Sequence, residues 1–188
     1  MGDGAKRRAM TCIVGLEHDG TVTIGGDAAA VEDTRITRYT EPKVFTVGEY
    51  LIGYCDSFRM GQLLQYRLKV PKQIVDDDMT HLCTVFVDAC RKLFHQGGFA
   101  KSSDSEDSGG VFLVGYRGAL YCIDEDYHVG RSALGYEAIG CGDHFALGSL
   151  ASTSGDPEAR VQMALYSAAL HSTSVCEPFT VLTQSQEP

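Results

Sequence analysis

The chain has 188 residues, of which 44% are hydrophobic and 22% are charged, and its formal net charge is -9 at pH 7. This length and composition favour one globular domain with a sizeable core. The acidic balance disfavours nucleic acid or a membrane as a partner, and no apolar run approaches the roughly 20 residues that a membrane-spanning helix needs.

The seven cysteines are scattered without CxxC pairs or any paired spacing. Such a pattern is typical of reduced, mostly buried thiols rather than of a disulfide framework or a zinc site. The first ten residues lack the apolar stretch of a secretory signal. We therefore expect a cytoplasmic protein.

Four β-rich runs follow the first ten residues and predict two hairpins. The four runs are 12–16, 21–24, 43–47 and 50–54. Asp19-Gly20 is a favourable turn for the first hairpin, and Gly48 supplies the turn of the second. The polar segment between the hairpins, 32–42, is too irregular to assign to an element.

Two helices are predicted next. Apolar residues recur every three or four positions at 60–68 and again at 79–94, and Gly97-Gly98 ends the second helix. The segment 101–110, KSSDSEDSGG, has the composition of a flexible surface loop.

The rest of the chain predicts a third hairpin, a short strand, two more helices and a last strand. We expect strands at 111–116, 119–123, 136–139 and 179–182, and helices at 143–151 and from 157 onward. Asp156-Pro157-Glu158 supplies the second of these helices with an N-cap, a proline at its first position and an early acidic residue.

The order of these elements predicts the fold class. Strands that are grouped, rather than alternating with helices, exclude a doubly wound parallel sheet. Two antiparallel sheets packed on each other between helix pairs would bury every apolar face. We therefore expect an α+β fold, a four-layer αββα sandwich, with an N-terminal extension or propeptide at 1–10, one domain at 11–183 and a flexible tail at 184–188.

The first hairpin places a threonine beside an aspartate. A turn at Asp19-Gly20 pairs residues whose numbers sum to about 38 or 39, so Thr11 lies beside Asp27. Lys43 opens the next strand, which we expect at a neighbouring edge. A hydroxyl, a carboxylate and an ammonium would then meet at one end of one sheet, although a surface threonine beside an ordinary ion pair would give the same pattern.

Thr11 directly follows Met10. Cleavage between them would give Thr11 a free α-amine, whose ordinary pKa is about 8. That amine can accept the hydroxyl proton, so that one residue is both nucleophile and base. A Lys43 cation would favour the neutral amine, Asp27 would orient Lys43, and a backbone amide near Gly53 would receive the oxyanion.

Several short segments share a pattern with a known family. They are Thr11-Cys12-Ile13-Val14-Gly15, Gly25-Gly26-Asp27, Pro42-Lys43-Val44-Phe45, Leu51-Ile52-Gly53 and Ala138-Ile139-Gly140-Cys141-Gly142. Together they resemble the proteasome β-subunit and HslV family of N-terminal nucleophile (Ntn) hydrolases, most closely its short bacterial and phage members. The resemblance spans about 11–182, and the separations of Thr11 from Asp27 and Lys43 match without a gap.

The resemblance implies roles for individual residues. Thr11 would be nucleophile and base, Asp27 and Lys43 its electrostatic support, and Gly53 the oxyanion donor. Cys141 stands where the family has a serine near the threonine amine.

Further positions follow from the same resemblance. Thr173 and Cys176 stand where the family places an aspartate and a serine, so the carboxylate is absent. Leu51 and Cys55 would line the pocket for the substrate residue before the cut.

The resemblance also implies a function. We expect a threonine-type endopeptidase that cleaves unfolded proteins or peptides inside a homo-oligomeric ring, stacked in pairs, without a catalytic cofactor. A structural monovalent cation and an ATPase unfoldase are compatible with it. The alternatives are an inactive ring subunit with a structural role, which the missing carboxylate favours, and a small-molecule amidohydrolase.

The origin of a free Thr11 stays open. Residues 1–10 are either an autoprocessed propeptide or an extension upstream of a start at Met10. Autoprocessed family members generally have glycine before the nucleophile, so Met10 favours the second interpretation.

Overall fold

The computed structural model describes residues 11–32, 35–99, 101–103 and 106–185. The predicted extension at 1–10 lies outside the described residues. Within them, thirteen strands and four helices form an α+β fold, which confirms the predicted class.

The strands are numbered along the chain. They are β1 (Cys12–His18), β2 (Thr21–Gly26), β3 (Ala29–Glu32), β4 (Arg35–Arg38), β5 (Val44–Val47), β6 (Tyr50–Tyr54), β7 (Lys101–Ser103), β8 (Glu106–Ser108), β9 (Phe112–Tyr116), β10 (Ala119–Ile123), β11 (Val129–Gly130), β12 (Tyr136–Gly140) and β13 (Thr180–Ser185). The helices are α1 (Phe58–Arg67), α2 (consecutive segments Asp78–His81, Leu82–Phe86 and Val87–Gln96), α3 (Asp143–Ser152) and α4 (Pro157–His171).

A four-stranded antiparallel sheet, in the order β12-β1-β2-β13, contains the first hairpin. Asp19 and Gly20 have φ of 46° and 73°, the left-handed conformation that a tight two-residue turn requires. The register places Ile13 opposite Gly26, as the turn predicts. The last strand continues to Ser185 instead of ending at 182, so the first residues of the predicted tail pair with β2.

The second and third hairpins lie in a five-stranded sheet, in the order β11-β10-β9-β6-β5. Gly48, with φ of 56°, turns the chain between β5 and β6. Arg117 and Gly118, with φ of 47° and 77°, do the same between β9 and β10. All contacts between neighbouring strands of this sheet are antiparallel, as predicted.

Two segments without predicted strands form short hairpins. β3, which ends at the first residue of the segment left unassigned, pairs with β4 inside that segment, and β7 pairs with β8 in the predicted loop. These strands are only three or four residues long and lack the alternation of apolar and polar residues that indicates a half-buried strand, so the pattern does not distinguish them from loops.

The helices agree with the predictions. Gly97 follows the end of α2, and the Asp156 side chain accepts a hydrogen bond of 2.8 Å from the Ala159 amide at the start of α4. The middle of α2 is a π-helical segment, which the sequence period does not reveal. None of the helices in the described part of the chain is long and apolar enough to cross a membrane.

Buried side chains form three clusters. One joins the five-stranded sheet to α1 and α2, and another joins the four-stranded sheet to α3 and α4. The third contains side chains from both sheets, including Ile13, Ile24 and Leu51. Close approach of the sheets requires glycine at Gly53, where a Cβ atom would lie 2.6 Å from Ile13 Cγ2.

Candidate active site

Thr11, Asp27 and Lys43 meet at a buried site. Thr11 precedes β1 and Asp27 follows β2, so both belong to the four-stranded sheet, whereas Lys43 precedes β5 of the other sheet. The expectation that all three come from one sheet is therefore wrong. The three residues are 1%, 2% and 4% exposed, which excludes a surface threonine beside an ordinary ion pair.

The Lys43 ammonium is saturated with acceptors. Its Nζ donates to Thr11 Oγ1, to Asp27 Oδ1 at 2.8 Å and to the Ala29 carbonyl oxygen at 2.6 Å. An ammonium has three donors, so every one is used. Thr11 Oγ1 in turn donates to Asp27 Oδ1, which places the hydroxyl between a cation and an anion.

The Asp27 carboxylate is fixed by backbone amides. Oδ1 accepts from the Cys12 amide at 3.1 Å, and Oδ2 accepts from the amides of Ala29 at 2.8 Å and Cys176 at 3.4 Å. These bonds offset the cost of removing a carboxylate from water. They also hold Asp27 in one orientation toward Lys43.

Glycines make room for this arrangement. Gly140 has φ of 100°, and a Cβ atom there would collide with the Thr11 carbonyl oxygen. A Cβ atom on Gly26 would lie 2.7 Å from Ile13 Cδ1 and 2.9 Å from Val44 Cγ2. Gly140 thus allows close packing against Thr11 itself, and Gly26 allows close packing between the strands next to it.

Cys141 lies against Thr11, as its place in the sequence predicts. Its Sγ donates to the Thr11 carbonyl oxygen at 3.4 Å and lies 3.5 Å from Ser172 Oγ. Ser172 was not predicted. The predicted Thr173 is exposed, and the Cys176 backbone amide donates to Asp27 Oδ2 at 3.4 Å.

Comparisons with known proteins test the fold. No family model and no curated protein matches the sequence. BPH from Thiobacillus denitrificans, solved alone and in complex with epoxomicin, superposes with a TM-score of 0.79 at 18% identity, covering 95% of this chain and 100% of BPH. HslV from Trypanosoma brucei superposes with a TM-score of 0.67 at 19% identity, covering 93% of this chain and 99% of HslV.

The chain has the fold of BPH and HslV. This match, over nearly the whole chain, confirms the resemblance to proteasome-like Ntn hydrolases as a likeness of fold. Sequence identity below 20% leaves the chemistry to be argued from the residues of this chain.

The structure does not bring the Gly53 amide to Thr11. The Tyr54 amide donates to the Lys43 carbonyl oxygen at 3.1 Å and the Cys55 amide to the Val111 carbonyl oxygen at 3.3 Å. Amides alternate between the two neighbours of an antiparallel strand, so the Gly53 amide faces β9, where Gly53 opposes Leu113. The HslV-like motif locates Gly53 along its strand but does not tell which neighbour its amide faces.

The predicted pocket residues lie in the interior of this HslV-like fold. Leu51 and Cys55 belong to the cluster between the sheets, and the Cys55 thiol donates to the Val111 carbonyl oxygen at 3.5 Å. Burial raises the pKa of the Cys55 and Cys12 thiols well above the ordinary range. Both thiols therefore stay protonated and unreactive.

An aromatic pair beside Lys43 was missed by the sequence analysis. The Lys43 Nζ lies 5.9 Å from the centroid of the Phe58 ring, and the Phe58 ring meets the Tyr39 ring edge to face. Tyr39 lies in the segment that was not assigned, and Phe58 opens α1. Helical periodicity could not select Phe58, because the periodic apolar face begins at Met60.

Proposed function

We propose that this chain is a threonine-type endopeptidase, with Thr11 as the nucleophile once the bond between Met10 and Thr11 is cleaved. The observation that carries the proposal is the buried Thr11 hydroxyl in contact with both the Lys43 ammonium and the Asp27 carboxylate. Thr11 directly precedes β1. Cleavage of the bond before Thr11 would leave a new α-amine on the same residue that carries the hydroxyl.

Burying the Lys43 and Asp27 charges has an energetic cost, so stability alone does not explain the arrangement. Removal of two charges from water costs several kcal/mol per ion, and well-packed apolar residues of similar size are often as stable. Here the charges converge on a hydroxyl, a weak nucleophile that needs activation. A positive charge next to that oxygen lowers the energy of the alkoxide character that develops during attack.

The proposed reaction has two steps, formation of an ester on Thr11 and hydrolysis of that ester. Thr11 Oγ1 forms a bond with the substrate carbonyl carbon as its proton passes to the Thr11 amine. The C–N bond then breaks, the departing amine takes that proton, and an ester on Thr11 remains. Water attacks the ester, gives a proton to the Thr11 amine, and releases the acid product as the proton returns to Oγ1.

Lys43 and Asp27 act through charge rather than by exchanging protons in these steps. The cation beside Thr11 keeps the amine neutral and therefore basic. Asp27 and the Ala29 carbonyl oxygen hold the cation in place. Cys141 would stand near the same residue and assist its orientation through the Thr11 carbonyl oxygen.

The similar structures support this class of function. BPH was solved in complex with epoxomicin, and both BPH and HslV match this chain over nearly its whole length. The three core clusters support a four-layer αββα order for this chain. We extend the proposal to a homo-oligomeric ring and, because all seven cysteines are free, to a cytoplasmic location.

Peptide hydrolysis by nucleophile variants tests the proposal. Protein with a free Thr11 should hydrolyse fluorogenic peptides, Thr11→Ala should not, and Thr11→Ser should retain partial activity because it keeps the hydroxyl. Thr23→Ala is the matched control, since Thr23 is a buried threonine of the same sheet that bonds Thr183 instead of Lys43. Equal hydrolysis by Thr11→Ala and wild type would refute the proposal, and no hydrolysis by wild type with a free Thr11 would favour an inactive subunit.

A further inference from the structure

Two exposed aromatic rings lie next to the candidate site. Tyr39, which follows β4, and Phe58, which opens α1, meet edge to face with centroids 5.2 Å apart. They are 52% and 41% exposed. Paired aromatic side chains on a surface are suited to bind an apolar group, because the exposed parts of both rings lose contact with water when that group covers them.

Lys43 links this pair to the nucleophile. Its Nζ contacts Thr11 Oγ1 and lies 5.9 Å from the Phe58 centroid. The Phe58 ring is therefore within a side chain's length of the hydroxyl that attacks the substrate. Behind Phe58 stands Tyr54, a buried ring whose centroid is 6.4 Å away and whose plane is nearly perpendicular, so the pair has a rigid support.

We propose that Tyr39 and Phe58 bind the side chain of the substrate residue whose carbonyl Thr11 attacks, and that they give a preference for an aromatic residue there. The inference rests on the proposed peptidase function and names its substrate class. An aromatic substrate ring adds a third member to an edge-to-face arrangement, which favours it beyond its apolar area. An alanine leaves both rings in water, and a glutamate places a carboxylate against their electron-rich faces.

Three peptides with the same fluorogenic leaving group test this preference in protein with a free Thr11. They differ only in the residue before the cut, which is Phe, Ala or Glu. We expect kcat/KM for the Phe peptide to exceed that for the Ala peptide by about tenfold or more, with the Glu peptide slowest.

Single variants assign the preference to the pair. Tyr39→Ala and Phe58→Ala should each lower the Phe-to-Ala ratio of kcat/KM several-fold, on the order of the loss of one aromatic contact. The ratio is the readout because loss of the Phe58 ring also removes a neighbour of Lys43. That loss should slow hydrolysis of both peptides by the same factor and leave their ratio unaffected. Tyr66→Ala, on the same helix and 66% exposed, is the control and should leave the ratio unchanged.

The outcomes separate this inference from the function on which it rests. Hydrolysis with a wild-type ratio near one, or with a ratio that neither variant lowers, overturns the aromatic preference alone. Protein with a free Thr11 that hydrolyses none of the peptides and is not labelled by epoxomicin overturns the peptidase function, and the preference with it.

Discussion

Two groups of buried polar side chains lie in different parts of the molecule. Thr11, Asp27 and Lys43 form the first group, where the ends of the two sheets meet. The second lies under α2, where the fully buried His81 bonds the Tyr50 hydroxyl at 2.7 Å. Burial alone would mark both as candidate sites.

The two groups differ in charge and in whether their polar atoms have hydrogen-bond partners. The first holds a cation and an anion, and every donor of Lys43 has an acceptor. In the second, burial and the nearby Arg117 guanidinium lower the pKa of His81, and within the described residues its Nδ1 lacks a hydrogen-bond partner. Burial also raises the pKa of Tyr50, so this group is held neutral.

The neighbours of the second group explain its role. The Tyr50 ring stacks on Tyr116 at 4.7 Å and on Phe86 at 4.5 Å between centroids. Tyr116 donates to Gln73 at 2.8 Å, and Gln73 donates to Asp78 at 2.9 Å. In the second group, stacked rings and the hydrogen bonds around them stabilise packing, whereas in the first a cation and an anion converge on a hydroxyl. Buried polarity thus indicates a site only when a reactive atom lies in it.

Lys43 variants give the largest expected difference between the two groups. Lys43→Ala should lower peptide hydrolysis by about a hundredfold to a thousandfold, as for loss of one preorganised electrostatic group (roughly 3 kcal/mol). It should stay folded, because three backbone amides still hold Asp27. Lys43→Arg should also fail, since a planar guanidinium does not fit where a compact ammonium does.

Kinetics and circular dichroism of these variants check this expectation. Lys69→Ala, an exposed lysine, is the control for loss of charge. Turnover near the wild-type rate in folded Lys43→Ala would remove Lys43 from the mechanism and erase the contrast between the two groups.

Cys141 variants test whether Cys141 belongs to the first group. Cys141→Ser should keep or raise activity, because a hydroxyl is a better donor than a thiol to the Thr11 carbonyl oxygen. Cys141→Leu should lower activity at least about tenfold, since it adds bulk and removes the donor. Cys83→Leu, at an exposed cysteine of α2, controls for general effects of the substitution. A fully active Cys141→Leu would show that the thiol only fills space.

His81 should affect stability without affecting catalysis. Its pKa is lowered on folding, so the unfolded chain binds a proton more readily, and the free energy of unfolding should fall as the pH drops below about 6.5. His81→Gln should reduce this slope and leave kcat/KM unchanged. Denaturant titrations between pH 5 and pH 8 measure the slope, with His18→Gln, an exposed histidine, as the control. An unchanged slope in His81→Gln would contradict the assignment.

Local sequence signals predicted the placement of two of the three residues of the first group. Asp19-Gly20 and the alternation of β1 and β2 set Thr11 beside Asp27 without any other information. The sheet to which Lys43 belongs depends on which of several similar hairpins pair with one another. Contacts between residues distant in sequence determine that pairing. The spacing from a family motif therefore located Lys43 correctly while the expected edge was wrong.

Other parts of the site needed the structure for specific reasons. All five residues of β6 are buried, so no alternation shows that Leu51 faces the other sheet rather than a pocket. Ser172 stands in a Ser-Thr-Ser run just beyond α4, where a shift of one residue decides which hydroxyl points to Cys141. Tyr39 lies in a polar connector without a readable pattern.

The most direct test of the central claim is the intact mass of protein produced from a start at Met10, before and after treatment with epoxomicin. Aminopeptidases remove methionine before small residues, so the mass should show a chain that begins at Thr11. Treatment should add the mass of one inhibitor, and Thr11→Ala should remain unmodified. The 188-residue chain should lose residues 1–10 slowly or not at all, because a methionine side chain hinders the tight turn that self-cleavage needs. Rapid cleavage after Met10 that Thr11→Ala abolishes would establish a true propeptide, whereas full peptidase activity with residues 1–10 still attached would contradict Thr11 as the nucleophile.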